Sequence, residues 1–297
     1  MTVGNTPQSF FDKWSKNASA FYAETLREGS DTQQWILRRN GYVSPQAWAA
    51  RLASCARVLD AGCGNGRVTA LLRQLAPVQT EVVGIDLVAA DVARQNFQDV
   101  PNMRFESRDL VNDVSGIGNF DYIYCQEVLH HTANPEKAFQ NLCGILRPGG
   151  EIAIYVYKQK APAREYVDDY VRGQISDLPY EQAMEQCRQI TAFGRALTEA
   201  GIKVTVPKVE ILGVEGGEYD VQRLIYHFFA KCYWNPDLSE HENVLVNYDW
   251  YHPQVATRHS LPEVERWFEA AGLTIEHRYI DHYGITVHGR KENSSPM

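Results

Sequence analysis

The residues with the most definite chemical content stand in one run, Val58-Leu59-Asp60-Ala61-Gly62-Cys63-Gly64-Asn65-Gly66. An apolar segment passes into a glycine-rich turn, and the following NGRVTALLRQLA has the apolar spacing of a helix. Bare backbone in such a turn lets amide groups and a helix start approach a nucleotide-like ligand closely. The spacing is G-x-G-x-G, not the G-x-G-x-x-G of dinucleotide enzymes, and Asp60 stands directly before it, where it would repel a pyrophosphate. A carboxylate there suits a cationic amino-acid group. Asp86 ends the next apolar run, EVVGIDL, about 20 residues beyond Gly66, the place from which an acid accepts ribose hydroxyls. That holds for NAD and adenosyl ligands alike. Arg108-Asp109-Leu110 closes a third run with an acid beside an apolar residue, a pair that fits an adenine's amino group and ring edge and equally fits a solvated turn.

Candidates for proton transfer follow the same logic of position. His130 and His131 come just after a fourth apolar run, FDYIYCQEVL, where a neutral imidazole would take a proton near pH 7 or else cap the next helix. Tyr251 and His252, in YDWYHP, concentrate polar tips on aromatic bodies and are either substrate contacts or a packed turn. Tyr155 and Tyr157 alternate with Val156 at the end of a fifth run and should face one side. No spaced histidine pair and no carboxylate cluster at the strand ends suggests a bound metal.

These residues need a scaffold, and the chain supplies its pattern. From Arg57 onward short apolar runs alternate with amphipathic stretches, which predicts a doubly wound α/β domain with parallel strands covered on both faces. Asn134 before Pro135 predicts a helix start, and Arg147-Pro148-Gly149-Gly150 its stop, placing a helix at about 135–147. Near the end, LPEVERWFEAAG reads as a helix, and TIEHRYID with GITVHGRK as an antiparallel hairpin, completing a mixed sheet of about seven strands. The alternation breaks between 158 and 258, a stretch of about a hundred residues that is too long to be structureless in a compact domain. REYVDDYVRGQI, PYEQAMEQCRQITAFGRALTEAG and YDVQRLIYHFFAKCYW have helical spacing, so this insertion is expected to be a helical substrate cap. The expected organisation is a helical lid at 1–50, a core at 51–157 and 259–291, and the cap at 158–258.

Composition narrows the partners. A net charge of −8 opposes a surface built to neutralise nucleic-acid phosphates, so no nucleic-acid partner is expected. No apolar run is long enough to span a bilayer and the N-terminal stretch lacks a signal-peptide pattern, so no membrane partner and a cytoplasmic location are expected. Six scattered cysteines without a CxxC pair read as free buried thiols.

Taken in order, VLDAGCGNGRVTALL, VVGIDL, ESRDL and FDYIYCQEVLHHTANPEKAFQNLCGILRPGG resemble the successive motifs of class I S-adenosylmethionine (SAM) dependent methyltransferases, over roughly residues 50–157. The branch most resembled is the small-molecule one that includes quinone-biosynthesis enzymes. The resemblance implies a Rossmann-like seven-stranded sheet ending in a hairpin, with SAM as cofactor and S-adenosylhomocysteine (SAH) as its product. It implies cofactor contacts at Asp60, Gly62, Gly64, Asn65, Gly66, Asp86, Leu87, Asp109, Leu110 and Gln126. Asp60 would sit near the amino group, Asp86 on the ribose, Asp109 and Leu110 on the adenine, and the Gln126 backbone on the methionine portion. The fourth run ends in Gln126-Glu127-Val128-Leu129, without the N/D-P-P-Y/F/W that clamps a planar amino group, which points to O-, N- or C-methylation of a small metabolite of natural-product type. His131, Tyr251 and His252 are the expected catalytic residues. Tyr226, Phe228, Phe229, Tyr233 and Trp234 beside Arg223, His227 and Lys231 suggest a cap suited to a planar acceptor with an anionic or hydroxylated handle. A sugar or lipid-linked glycan acceptor, a non-catalytic SAM-binding regulator, and a homodimer through the cap remain open alternatives.

Overall fold

The computed structural model describes residues 4–112 and 114–293. The chain divides into two units, one comprising residues 14–158 with the chain from 257 onward, the other residues 4–13 with 159–256. The first 50 residues are thus shared out, and most of α1 (Thr6–Lys16) belongs to the second unit.

In the first unit, α2 (Tyr22–Leu26), α3 (Asp31–Arg39) and α4 (Pro45–Leu52) precede the alternating region. That region runs β1 (Arg57–Ala61), α5 (Arg67–Leu75), β2 (Glu81–Asp86), α6 (Ala90–Asn96), β3 (Met103–Ser107), β4 (Phe120–Gln126), α7 (Pro135–Gly144) and β5 (Leu146–Tyr157). The second unit supplies α8 (Pro162–Ile175), α9 (Tyr180–Glu199), β6 (Lys203–Val206), β7 (Gly217–Asp220), α10 (Val221–Phe228) and α11 (Glu240–Tyr251). The chain then returns to the first unit as α12 (Leu261–Ala270), β8 (Leu273–Ile280) and β9 (Gly284–Lys291).

Among the described residues these strands form a seven-stranded sheet of order β3-β2-β1-β4-β5-β9-β8. β1 to β5 run parallel, and β9 is antiparallel to both β5 and β8. Neighbouring residues on a strand serve opposite layers, as the pleat requires. Leu59, Val83, Ile123 and Ile154 pack with Phe139, Leu142, Trp267 and Phe268, while Val58, Val82, Tyr122 and Ala153 pack with Ile36, Trp48, Leu52 and Leu72. This doubly wound sandwich is what places every parallel strand's C-terminal end, and so the glycine turn, at one edge.

The expected Asn134 cap is present, its side chain accepting from the Lys137 amide. The helix stops earlier than expected, however, because Arg147-Pro148-Gly149-Gly150 lies inside β5. Gly149 has φ 74°, and the pairing of β4 with β5 shifts register between Phe120 and Tyr122. A glycine with positive φ builds a bulge here instead of ending a helix.

The second unit is largely helical, as expected, but it contains an antiparallel β6–β7 hairpin that periodicity did not reveal. The YDWYH stretch, read as a possible turn, is the last part of α11, whose Val244, Leu245, Tyr248, Trp250 and Tyr251 are all buried. Ser239 and Glu242 form a capping box at its start. Among the described residues the cysteines are free and buried, and no helix is long and apolar enough to cross a membrane.

Candidate active site

The turn after β1 is held by its own backbone. The amides of Gly62 and Cys63 both donate to the Ile85 carbonyl of β2, at 2.7 and 2.9 Å, and the Gly66 amide donates to Cys63 O at 2.9 Å. Gly62, Gly64 and Gly66 have φ of 87°, 54° and 89°, values that side chains strain to adopt. Space enforces the same choice. A Cβ at Gly62 would run into Val128, one at Gly64 would lie 2.9 Å from the Trp14 indole, and one at Gly66 would lie 2.9 Å from Phe97.

Asp86, half-buried at the end of β2, ties this turn to the next. Its Oδ2 accepts from the Gly64 amide at 3.0 Å, and its Oδ1 accepts from the amides of Val88 and Ala89, both at 2.9 Å. Leu87 beside it is exposed. Asp60 is buried under the turn and accepts from the Thr69 hydroxyl at 2.6 Å. Burial pushes its carboxyl up to about 7, against the pull of Thr69 and Arg67. Such a group gains from a cation placed beside it. Asp109 accepts from the Val111 amide at 2.9 Å and the Asn112 side chain at 2.6 Å, a local turn. Leu110 packs into the core.

Asn65 is buried with its amide turned toward the N-terminal segment. Its Nδ2 donates to the carbonyls of Ala18 and Ala20, both at 3.0 Å, and Tyr22 donates its hydroxyl to Asn65 O. The Asn96 amide adds bonds to Ala18 O at 3.0 Å and Asn65 O at 3.1 Å. Residues 18–22 are thereby fastened against the glycine turn.

The end of β4 carries a second group of residues. Gln126 is buried and pairs its amide with that of Asn40. Glu127 has φ 66°, an uncommon conformation for a side chain of its length, and bridges Arg39 at 3.1 Å and Arg67 at 3.6 Å. Arg39 was not singled out in the sequence, since an arginine at a helix end looks like an ordinary surface charge. It is buried instead, lies 3.9 Å from the Trp35 ring centroid and 4.7 Å from that of Tyr155, and donates to the Tyr124 hydroxyl at 3.1 Å. Burial opposes its charge, but Tyr124, Glu127 and Tyr155 outweigh burial and hold the guanidinium firmly protonated. Beyond Glu127, His130 stacks on Tyr157 at 3.6 Å between centroids, its Nδ1 facing the Tyr157 amide at 3.3 Å. His131 meets the Tyr157 ring edge-on at 5.4 Å. His130, His131, Tyr155 and Tyr157 therefore form one aromatic cluster at the ends of β4 and β5.

Tyr251 and His252 have quite different surroundings. The Tyr251 hydroxyl lies 2.9 Å from both Asp168 Oδ1 and the Lys231 carbonyl, inside the second unit. Asp168 also accepts from Arg164 Nε at 3.0 Å, Trp250 Nε1 at 2.9 Å and the Lys231 amide at 3.1 Å. His252 donates from Nε2 to the Leu178 carbonyl at 3.0 Å, leaving Nδ1 to accept from the Ser9 hydroxyl at 2.7 Å. Burial lowers its pKa, and its ring stacks on Tyr248 at 4.6 Å. Both residues spend their polar atoms on helix packing. Of the aromatic residues assigned to the cap's pocket side, Tyr226 and Phe228 are buried in the second unit's interior. Arg223 lies 5.5 Å from the Tyr226 ring centroid and Lys231 4.8 Å from that of Trp250.

The family model described as a methyltransferase domain matches residues 31–205. A trans-aconitate 2-methyltransferase from Deinococcus radiodurans is 40% identical over 101 residues, which are 34% of this chain and 38% of that protein. A ubiquinone biosynthesis O-methyltransferase from Coxiella burnetii is 30% identical over 98 residues, 32% of this chain and 41% of that one. The chain thus matches about two-fifths of the length of each of these relatives. In fold it is similar to an O-methyltransferase family protein from Burkholderia thailandensis, with TM-score 0.53 at 13% identity over 99% of this chain and 65% of that one. It is also similar to PKMT2 from Rickettsia typhi, determined in complex with AdoHcy, with TM-score 0.51 at 15% identity over 81% and 49% of the two chains. The glycine turn, the acids at successive strand ends and the terminal hairpin agree with these matches, and the chain belongs to the class I SAM-dependent methyltransferase family.

Proposed function

We propose that this protein transfers the methyl group of SAM to an oxygen, nitrogen or carbon atom of a small metabolite of natural-product type. The observation that carries the reading is the glycine cradle, where side chains are excluded at three alternate positions and two carboxylates flank it, Asp60 one residue before the end of β1 and Asp86 at the end of β2. Asp60 receives the cofactor's ammonium, and the turn's backbone lies along the methionine portion. Asp86 receives the ribose hydroxyls. Asp109 and the exposed Leu87 border the adenine, while Leu110, packed in the core, supports that wall from behind. Asn65 acts indirectly, by fastening residues 18–22 over the turn.

A sulfonium methyl is already activated, so the chain's task is to hold a nucleophile in line at about 3 to 3.5 Å and to remove a proton where the acceptor has one. His131 is the proton acceptor proposed, because it stands in the aromatic cluster directly after the strand that carries Gln126. Tyr251 and His252 are withdrawn from that role, since Asp168, Lys231, Ser9 and Leu178 already engage them. The glycan alternative rested on their polar tips and loses that support. An acceptor with a planar body and an anionic handle agrees with the aromatic and cationic residues of the second unit, and the two curated relatives bear names of enzymes for small acceptors.

Calorimetric titration with SAM, SAH and NAD, beside Asp86→Ala, tests the cofactor reading. Micromolar binding of the adenosyl ligands, weakened in the variant and absent for NAD, is expected, and NAD binding alone would overturn it. A mass screen of acceptor extracts with SAM then tests turnover; binding without any methylated product would favour the non-catalytic alternative.

A further inference from the structure

The end of β4 is gripped by the end of α3 in a matched way. Two consecutive residues of one meet two consecutive residues of the other: Arg39 pairs with Glu127 and Asn40 with Gln126. Two histidines facing each other across the terminal hairpin, His277 on β8 and His288 on β9, hold that helix end from behind. His277 Nε2 lies 3.0 Å from the Arg39 carbonyl and must donate to it, and its ring fills the space a Cβ at Gly41 would need, at 2.9 Å.

His288 is buried and its Nε2 lies 2.9 Å from Asn40 Oδ1. The orientation of the Asn40 amide is fixed independently, because its Nδ2 donates to the Ile36 carbonyl at 2.7 Å. Its Oδ1 therefore faces His288, and Nε2 of that ring is the donor. The same Oδ1 accepts from Gln126 Nε2, while Asn40 Nδ2 donates to Gln126 Oε1 at 3.2 Å. On its other side His288 Nδ1 lies 3.3 Å from Glu151, which Arg51 and Arg290 also hold. One ring nitrogen thus borders the Glu151 ion cluster, and the other sets an amide pair.

We propose that His288 is a positioning residue for cofactor binding, acting through Asn40 to set Gln126 and the end of β4. It rests on the reading that Gln126 borders the cofactor. Without the His288 donor, the Asn40 oxygen loses one of its two partners, and with only the Ile36 carbonyl and Gln126 left to hold the amide pair the strand end is held less firmly. His288 touches no reacting atom, and its influence ends at Gln126.

The test is a double-mutant cycle on the full chain, with SAH affinity read by calorimetry and folding by thermal melting. His288→Leu is expected to weaken SAH about tenfold, and His288→Gln, whose amide can donate to Asn40, to recover most of that loss. In a Gln126→Ala background His288→Leu should cost little more, since the residue it acts through is gone. Should His288→Leu fail to fold, His288→Met, which likewise offers Asn40 no donor, carries the same test. Wild-type affinity in the folded His288→Leu chain, or an equal loss with and without Gln126, would overturn the proposal while leaving the cofactor reading intact. Absence of SAH binding to the wild-type chain would overturn both.

Discussion

Asp86 and Asp168 are both carboxylates with several donors, but their surroundings make them opposite kinds of residue. A carboxylate has about four lone-pair sites. Asp86, half-buried at the end of β2, takes three backbone amides, from Gly64, Val88 and Ala89, and keeps capacity for another donor. Asp168, fully enclosed in the second unit, meets Arg164, Trp250, Tyr251 and the Lys231 amide, which use all four sites. The first shapes a turn and can still receive a ligand, whereas the second joins α8 to α11 and has nothing left to offer. Residue type does not separate them. The count of donors does.

That contrast is breakable, and the largest effect should come from Asp168. Asp168→Ala leaves the Arg164 guanidinium buried without its carboxylate and is expected to cost about 3 to 5 kcal/mol in urea unfolding, with SAH affinity of the folded chain unchanged within about twofold. A comparable loss of affinity would show that the second unit's interior bears on the cofactor.

Asp60 sharpens the comparison through pH. Its folded value of about 7 lies above the ordinary 3.8, so in the window between them the folded chain keeps a proton that the unfolded chain has shed. Stability contributed by this group therefore falls as pH rises from about 4 to about 7, by up to about 4 kcal/mol, and is level beyond. Asp60→Asn should remove that slope from the pH dependence of unfolding; an unchanged slope would mean that another group causes it.

Asp86→Ala should weaken SAH by about ten- to a hundredfold, the loss of charge-assisted hydrogen bonds, while lowering the melting temperature less than Asp168→Ala does. Reversed magnitudes would erase the distinction between the two carboxylates. Smallest is Tyr251→Phe, expected to cost about 1 kcal/mol of stability and to leave turnover unaltered. A large fall in kcat with unaltered stability would restore Tyr251 to the reaction.

The sheet and its glycine turn were legible because their signals are local. Each strand is a short apolar run, and the turn's positive φ angles demand glycine at fixed places. The terminal hairpin announced itself in the same way. What escaped was set by partners far along the chain. Arg39 looks like a surface charge until Glu127, 88 residues away, and the Trp35 ring enclose it. α11 has buried residues around most of its circumference, so no polar stripe marked it as a helix, and Tyr251 and His252 stood out as chemistry when their partners Asp168 and Ser9 were invisible. The Arg147–Gly150 run was read as a helix end because a glycine at positive φ serves a bulge and a helix stop equally well.

The strand order has a consequence for how the chain must be made. β9 follows β8 in sequence yet lies between β5 and β8. On a ribosome, β5 emerges more than a hundred residues before the strand that covers its open side, and β8 emerges with no strand to join. Until β9 inserts, the growing chain presents an unpaired hydrogen-bonding edge of apolar character, the kind that recruits foreign strands. The insertion of β9 also delivers His288 to Asn40, so sheet closure and the setting of the strand end belong to the same event.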